Sequence, residues 1–330
     1  VEIGYALSSE EHGPLDLVRF ARGAEEAGFA FAGISDHYHP WTQEQGQSPF
    51  AWSTIGAIAA TTSRLRLMTG VTCPFRYHPA ILAQAAATAG ALMEGRFVLG
   101  LGTGEALNEH ILGGHWPDIE VRQEMLEEAV EVIRGLWRGD LFSHHGRHFE
   151  VEQARIYTLP QQPVPIYIAA GGEKAAALAG RAGDGLVSTA PAEKTVKAFV
   201  DAGGEDKPRV GMLHVCWAES EAEGVRTSRR VWPNGPIKGA ATTELRLPSH
   251  FEALAELVDD EDIGAEIVCG PDPERHVAAI QEYVDAGFDR VYVHQVGPDQ
   301  DGFFSFYRDR VLPRFSTAQQ RNSESVGVSS

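Results

Sequence analysis

Within Ser35-Asp36-His37-Tyr38-His39-Pro40-Trp41 the chain packs a carboxylate, two imidazoles and two aromatic rings other than histidine into seven residues. Histidine is the side chain whose ordinary pKa lets it take or give a proton near neutrality, and an adjacent carboxylate can orient its ring. The cluster suits acid-base chemistry; the plain alternative is a polar turn with incidental histidines. A second stretch, Gly100-Leu101-Gly102-Thr103-Gly104-Glu105-Ala106-Leu107-Asn108-Glu109, repeats glycine. Such a backbone can approach a flat or phosphorylated ligand, while Glu105 supplies a proton carrier and Asn108 an amide. The third, Ala169-Ala170-Gly171-Gly172-Glu173, runs into the small residues 175–180. Free N–H groups at a helix start favour an anion, typically a phosphate, and a tight strand-to-helix turn accounts for the same residues equally well.

Two other chemistries could use residues of this kind. His37 and His39, one residue apart at a strand end, are spaced like the metal-binding pair of metallohydrolase barrels, with His214 and His294 in late strands as distant partners. No aspartate immediately follows the last strand, however, and Trp41 comes straight after the pair, so we expect no metal. Nucleophilic catalysis has less support: there is no GxSxG, and Cys73, Cys216 and Cys269 sit in no activating motif.

The elements that must position these groups alternate. Strand candidates fall at residues 2–7, 30–35, 65–69, 98–102, 165–170, 185–188, 209–216 and 289–295, with helical segments between them, the last near 303–314. The clearest helix spans 119–137, with Val121, Met125, Ala129, Ile133 and Leu136 predicted on the buried face and glutamates opposite. Glu26-Ala27-Gly28-Phe29 and Asp285-Ala286-Gly287-Phe288 echo one another, each a helix stopped by glycine and followed by a strand. About eight such units predict an α/β fold of the TIM (β/α)8 barrel type, whereas a doubly wound fold usually carries GxGxxG after its first strand and this chain has none there. Residues 140–164 read as a hairpin excursion and 232–248 as a long loop after the seventh strand that selects substrate. Residues 1–315 are expected to form one domain and 316–330 a disordered tail.

With 28 Lys+Arg against 46 Asp+Glu, the 330-residue chain has a formal charge of −18, which argues against nucleic acid as a partner. No apolar run approaches the roughly 20 residues of a membrane span, and the start lacks the look of a signal peptide. Three cysteines far apart fit reduced thiols rather than a disulfide framework. The expectation is a soluble cytoplasmic protein.

From about Ile3 to Phe315 the sequence resembles the luciferase-like (bacterial luciferase superfamily) barrels, and within them the deazaflavin-dependent oxidoreductases similar to F420-dependent glucose-6-phosphate dehydrogenase. The resemblance is carried by Ser35-Asp36-His37 with Pro40-Trp41, by Phe75-Arg76-Tyr77-His78-Pro79, by Gly102 to Glu109, and by Val164-Pro165-Ile166-Tyr167-Ile168-Ala169-Ala170-Gly171-Gly172. It implies that Asp36, Asn108 and the backbone of Ala170, Gly171 and Gly172 hold coenzyme F420, the last three at its phosphate, and that Gly70-Val71 is a non-prolyl cis peptide supporting the deazaflavin. It further implies His37 as the base for the substrate hydroxyl, Trp41 as the aromatic beside the reacting species and Glu105 as the acid near the deazaflavin nitrogen. A homodimer is expected by the same analogy.

One departure bears on substrate. Where the sugar-phosphate enzymes grip phosphate with lysines, this chain reads Ala190-Pro191-Ala192-Glu193 and Ile263-Gly264-Ala265-Glu266, with Lys194 nearby. Residues 232–248 bring Trp232, Pro233, Pro236, Ile237 and Leu247 towards the barrel mouth, with Lys238 their only lysine and Arg246 their only arginine. Trp232 and Lys238 are the predicted substrate contacts. A buried dianion without cations is costly, so the expected substrate is a neutral secondary alcohol or its ketone. The rivals are a sugar-6-phosphate dehydrogenase rebuilt around Lys194 or Lys238, an FMN-dependent monooxygenase, and the metallohydrolase.

Overall fold

A computed structural model describes residues 1–315. Eight parallel strands close into a ring: β1 (Glu2–Leu7), β2 (Phe31–Ile34), β3 (Arg66–Thr69), β4 (Phe97–Leu101), β7 (Ile166–Ala169), β8 (Gly185–Ser188), β9 (Arg209–Cys216) and β11 (Arg290–Gln295). β8 pairs with β9, β9 with β11 and β11 with β1, so the ring has no free edge. Between β4 and β7 lies the antiparallel pair β5 (Phe142–His145) and β6 (Glu150–Ala154), the expected hairpin excursion. The short β10 (Val268–Cys269) extends the sheet from the far end of β9. Strand bounds agree with the sequence reading to within a residue or two, and the fold is the predicted TIM barrel.

Alternation along the strands builds two cores. Tyr5 and Leu7 face the helices, while Ala6 joins Phe31, Met68, Tyr167, Val187, Val210 and Tyr292 inside the ring. The glycine echo is geometric as well. Gly28 (φ 93) and Gly287 (φ 97) both take left-handed backbone, which glycine adopts at no steric cost. In each, the glycine N–H returns to the carbonyl three residues back and the following phenylalanine N–H to that five back, closing the helix and launching β2 or β11.

The structure corrects the helix Ile119–Leu136. Its buried face centres on Arg122, Leu126, Ala129, Val130 and Ile133, with Val121 and Met125 only half-buried. The rotation follows from Arg122, which donates to the Gly104 carbonyl (3.3 Å), pairs with Glu244 (2.8 Å) and lies over the Trp116 ring (4.2 Å). Residues 232–248 also differ from the expected loop. They follow the helix Glu221–Val231 rather than the strand itself, and contain a helical turn, Ala241–Glu244. The last helix begins earlier, at Gln300–Phe306, widens into a π-helical turn over Tyr307–Val311 and ends in a 3-10 turn at Leu312–Arg314. The predicted tail lies outside the described residues. Among the described residues no helix is long and apolar enough to cross a membrane.

Candidate active site

The loops after β1 and β2 are stitched together before they present any chemistry. Ser9 donates its N–H to the Ser35 hydroxyl (2.9 Å) and its own hydroxyl to the Ser35 carbonyl (2.7 Å), and Ser35 Oγ donates to Glu10 Oε2 (2.6 Å). Glu10 Oε1 is thereby held 3.3 Å from His37 Nε2, with Glu105 Oε2 at 3.5 Å from the same nitrogen. The other ring nitrogen, Nδ1, faces the His39 carbonyl at 3.2 Å. A carbonyl only accepts, so Nδ1 carries the hydrogen and Nε2 is the atom left to exchange a proton.

The three groups perturb one another. Burial pulls the His37 pKa down, but Glu10 and Glu105 outweigh it and hold the imidazole above its ordinary value. Burial pushes both carboxyls up. At Glu10 the His37 ring and the Ser35 hydroxyl prevail and the carboxyl sits below its usual range; at Glu105 burial, reinforced by Glu10, prevails over His37 and the carboxyl sits above it. Carboxyls whose environments separate their proton affinities are the arrangement acid-base catalysis requires. The Trp41 ring lies 5.1 Å from the His37 ring and packs edge-on against Phe251 at 5.0 Å.

Behind this group, Asn108 Oδ1 accepts the backbone N–H of Tyr38 (2.9 Å) and His39 (3.1 Å), while Nδ2 donates to Glu105 (3.1 Å). Asp36 is buried and accepts from the hydroxyls of Thr72 (2.5 Å) and Tyr77 (3.1 Å). It also pairs with Arg76 at 2.8 Å, and Arg76 reaches Glu109 at 3.5 Å. Burial, opposed by Arg76, pushes the Glu109 carboxyl up to about 7.

Two cavities meet at His37, Gly70, Glu105 and Tyr292. One, of about 270 Å³, is lined by Glu10, His37, Trp41, Glu105, His214, Trp232, Phe251 and His294 among others. The second, of about 220 Å³, runs along Asp36, Gly70, Val71, Gly102 to Glu105, Asn108, Ala170 and Gly171. The residues assigned by resemblance to chemistry and to cofactor thus lie on adjoining spaces, and the Gly70-Val71 peptide is cis.

Some placements depart from expectation. The Ala170 N–H donates to the Val187 carbonyl (2.9 Å) and is unavailable to an anion. Gly172 does not line the cavity but caps the helix Glu173–Ala182, whose first N–H groups have no intrahelical acceptor. Trp232 is buried and lines the first cavity, whereas Lys238 does not: its exposed ammonium pairs with Glu266 at 2.6 Å. The reason for setting Lys238 at the substrate is removed by that pair. Pro233, Pro236 and Leu247 are also absent from the lining, to which the loop contributes Asn234, Gly235, Ile237 and Thr242. Gln45 fixes this part of the loop by donating to the Val231 carbonyl (3.0 Å) and Asn234 Oδ1 (3.2 Å).

Sequence reasoning missed Glu10, Arg76 and Glu109 as members of the site, and saw His214 and His294 only as distant metal candidates. Glu10 stands three residues past β1, and position after a barrel strand was the available signal.

Curated relatives named F420-dependent glucose-6-phosphate dehydrogenase include one from Nocardia farcinica, 37% identical over 330 residues, and one from Amycolatopsis mediterranei, 36% identical over 328 residues; each match covers 95% of this chain and 98% of the relative. A solved F420-dependent secondary alcohol dehydrogenase in complex with an F420-acetone adduct superposes with a TM-score of 0.88 at 30% identity, covering 94% of this chain and 98% of its own. The coenzyme F420-dependent tetrahydromethanopterin reductase of Methanopyrus kandleri shares the fold, with a TM-score of 0.78 at 21% identity over 96% of this chain and 99% of its own. Residues 2–290 match the family described as luciferase-like monooxygenase, and on that match and these relatives the chain belongs to the luciferase-like monooxygenase family.

Proposed function

We propose that the chain is a coenzyme F420-dependent oxidoreductase that interconverts a neutral secondary alcohol and its ketone. The observation that carries the redox reading is His37 Nε2, set with Glu10 and Glu105 at the junction of the two cavities. The second cavity fits a flat phosphorylated cofactor: a Cβ placed on Gly171 would meet nothing within 4 Å, so glycine leaves room there that packing of the chain itself does not require. Asp36, the Gly70-Val71 peptide, Asn108, Gly171 and the start of the helix Glu173–Ala182 would hold it. When bound, F420 supplies a ring carbon that accepts or returns a hydride.

The chain's own residues handle the protons. Neutral His37 takes the substrate hydroxyl proton at Nε2 while the His39 carbonyl fixes Nδ1–H, and Glu10 stabilises the imidazolium formed. Glu105, held towards its protonated form, keeps a proton at the edge of the second cavity. Trp41 walls the reacting carbon and excludes water beside His37.

Among the described residues no lysine or arginine lines the first cavity, while two carboxyls do. That supports a neutral substrate over a phosphate ester, which needs cationic donors. The names of the curated relatives favour the second reading, a sugar-6-phosphate dehydrogenase. The test is a fluorescence titration with F420 and FMN followed by F420 reduction with glucose 6-phosphate and with neutral secondary alcohols. Tighter binding of F420 is expected, with alcohols preferred by about tenfold or more, a barrier difference of roughly 1.4 kcal/mol. His37→Ala is expected to keep F420 affinity and to lose turnover by about 10²–10⁴-fold. Preference for FMN would move the protein to the monooxygenase branch, and preference for the phosphate ester would overturn the neutral-substrate reading.

A further inference from the structure

Two and three strands round the ring from β2, which leads into the His37 loop, β11 and β9 bring a second pair of imidazoles to the first cavity. His214 and His294 are register partners, and their Nδ1 atoms lie 2.9 Å apart. On the other side of His294, Nε2 stands 3.4 Å from Glu11 Oε1, both side chains almost wholly buried. Glu11 Oε2 accepts the Gly297 N–H at 3.2 Å. Among the described residues neither Glu11 Oε1 nor His294 Nε2 makes a hydrogen bond, so their 3.4 Å contact is the one polar contact that can serve both. His214 Nδ1 is committed to His294, which leaves Nε2 as the free edge of a ring that lines the cavity.

Two neutral rings joined Nδ1 to Nδ1 hold one hydrogen between those atoms, and this fixes the rest of the chain. If His294 donates, its Nε2 is bare, Glu11 must be a carboxylic acid that donates to it, and His214 keeps its hydrogen on Nε2. If His214 donates, His294 carries a hydrogen on Nε2 towards a carboxylate, and His214 Nε2 is bare. The carboxyl of Glu11, which does not itself line the cavity, therefore decides what His214 offers there. Burial pushes Glu11 up to about 8 and His294 and His214 down to about 4 and about 3, which selects the acid and the donor.

We propose that His214 determines specificity by donating a hydrogen bond from Nε2 to a second oxygen of the substrate, with His294 and Glu11 holding that N–H in place. The substrate class is then an alcohol or ketone bearing a further hydroxyl, ether or carbonyl oxygen on the side away from His37. This rests on the redox reading above. The bland alternative is a polar pair that only satisfies itself.

The probes are cyclohexanol and trans-cyclohexane-1,4-diol, equal in ring and in reacting carbon, given to the F420-saturated protein. One hydrogen bond predicts that kcat/KM favours the diol by about tenfold. In His214→Leu the ratio is expected to fall below about two; in His214→Asn, which keeps a donor, part of it returns. Glu11→Gln keeps the preference, since its amide N–H replaces the acid O–H to His294. No preference in the parent, or the same ratio in His214→Leu, would overturn the proposal. If neither alcohol reduces F420, the redox reading fails on its own, and His214 is judged by its 15N imidazole signals: a shift with the diol but not with cyclohexanol supports the contact, and no shift with the diol refutes it.

Discussion

Replacing Glu11 by glutamine converts a titrating buried group into a fixed neutral one of the same shape. The Glu11 side chain is 3% exposed. Burial, opposed by His12 and by the Gly297 N–H, moves its carboxyl from 4.5 to about 8. Between those values the folded protein keeps a proton that the unfolded chain has released, so raising the pH favours unfolding and stability falls. The interval is about 3.5 pH units, and at 1.36 kcal/mol for each the parent loses roughly 5 kcal/mol from this group by pH 9. Glu11→Gln has no such loss. Urea unfolding of both proteins at pH 4.5, 7 and 9 isolates the effect, because the other titrations cancel in the difference. We expect the two to agree within about 1 kcal/mol at pH 4.5 and the variant to lead by roughly 5 kcal/mol at pH 9. A difference independent of pH would show that Glu11 is ionised in the folded protein and would refute the assignment of the acid form.

Glu10→Gln removes one of the two carboxyls that hold the His37 pKa up. Oxidation requires neutral His37, so its rate rises with pH through that pKa, and the rising limb of the kcat/KM profile is expected to move to lower pH; an unmoved limb would take Glu10 out of the mechanism. Arg76→Leu leaves Asp36 and Glu109 buried without their cation, a loss of about 3–5 kcal/mol at pH 8. Glu109, with its carboxyl at about 7, is protonated at pH 5.5, so the loss measured by urea unfolding shrinks there; equal losses at both pH values would contradict that account.

The barrel was legible because its strands are short apolar runs between helices that stop at glycine, and the Gly28 and Gly287 turns repeat one local geometry whatever surrounds them. The face of the helix Ile119–Leu136 was not, because periodicity counts an arginine as polar and Arg122 turns inward over Trp116 and towards Gly104 and Glu244, the last two outside the reach of a local pattern. The first cavity was legible at His37, Trp41 and Glu105, whose types announce chemistry. In the sequence Glu10 and Glu11 are simply two adjacent acids. Their opposite proton affinities arise from surroundings distant in sequence: His37 and Ser35 outweigh burial at Glu10, whereas burial prevails at Glu11. Lys238 failed for a related reason: proximity along the chain says nothing of Glu266, which claims its charge.

Asn108 touches the His37 loop through its oxygen and Glu105 through its nitrogen. A single amide therefore sets the separation between the His37 loop and Glu105. The two ends are chemically unequal, since the loop requires an acceptor and Glu105 a donor, and no other side chain of this length offers both. Aspartate at this position would still seat the loop, but it could only accept from Glu105, so that contact would hold only while Glu105 keeps its proton.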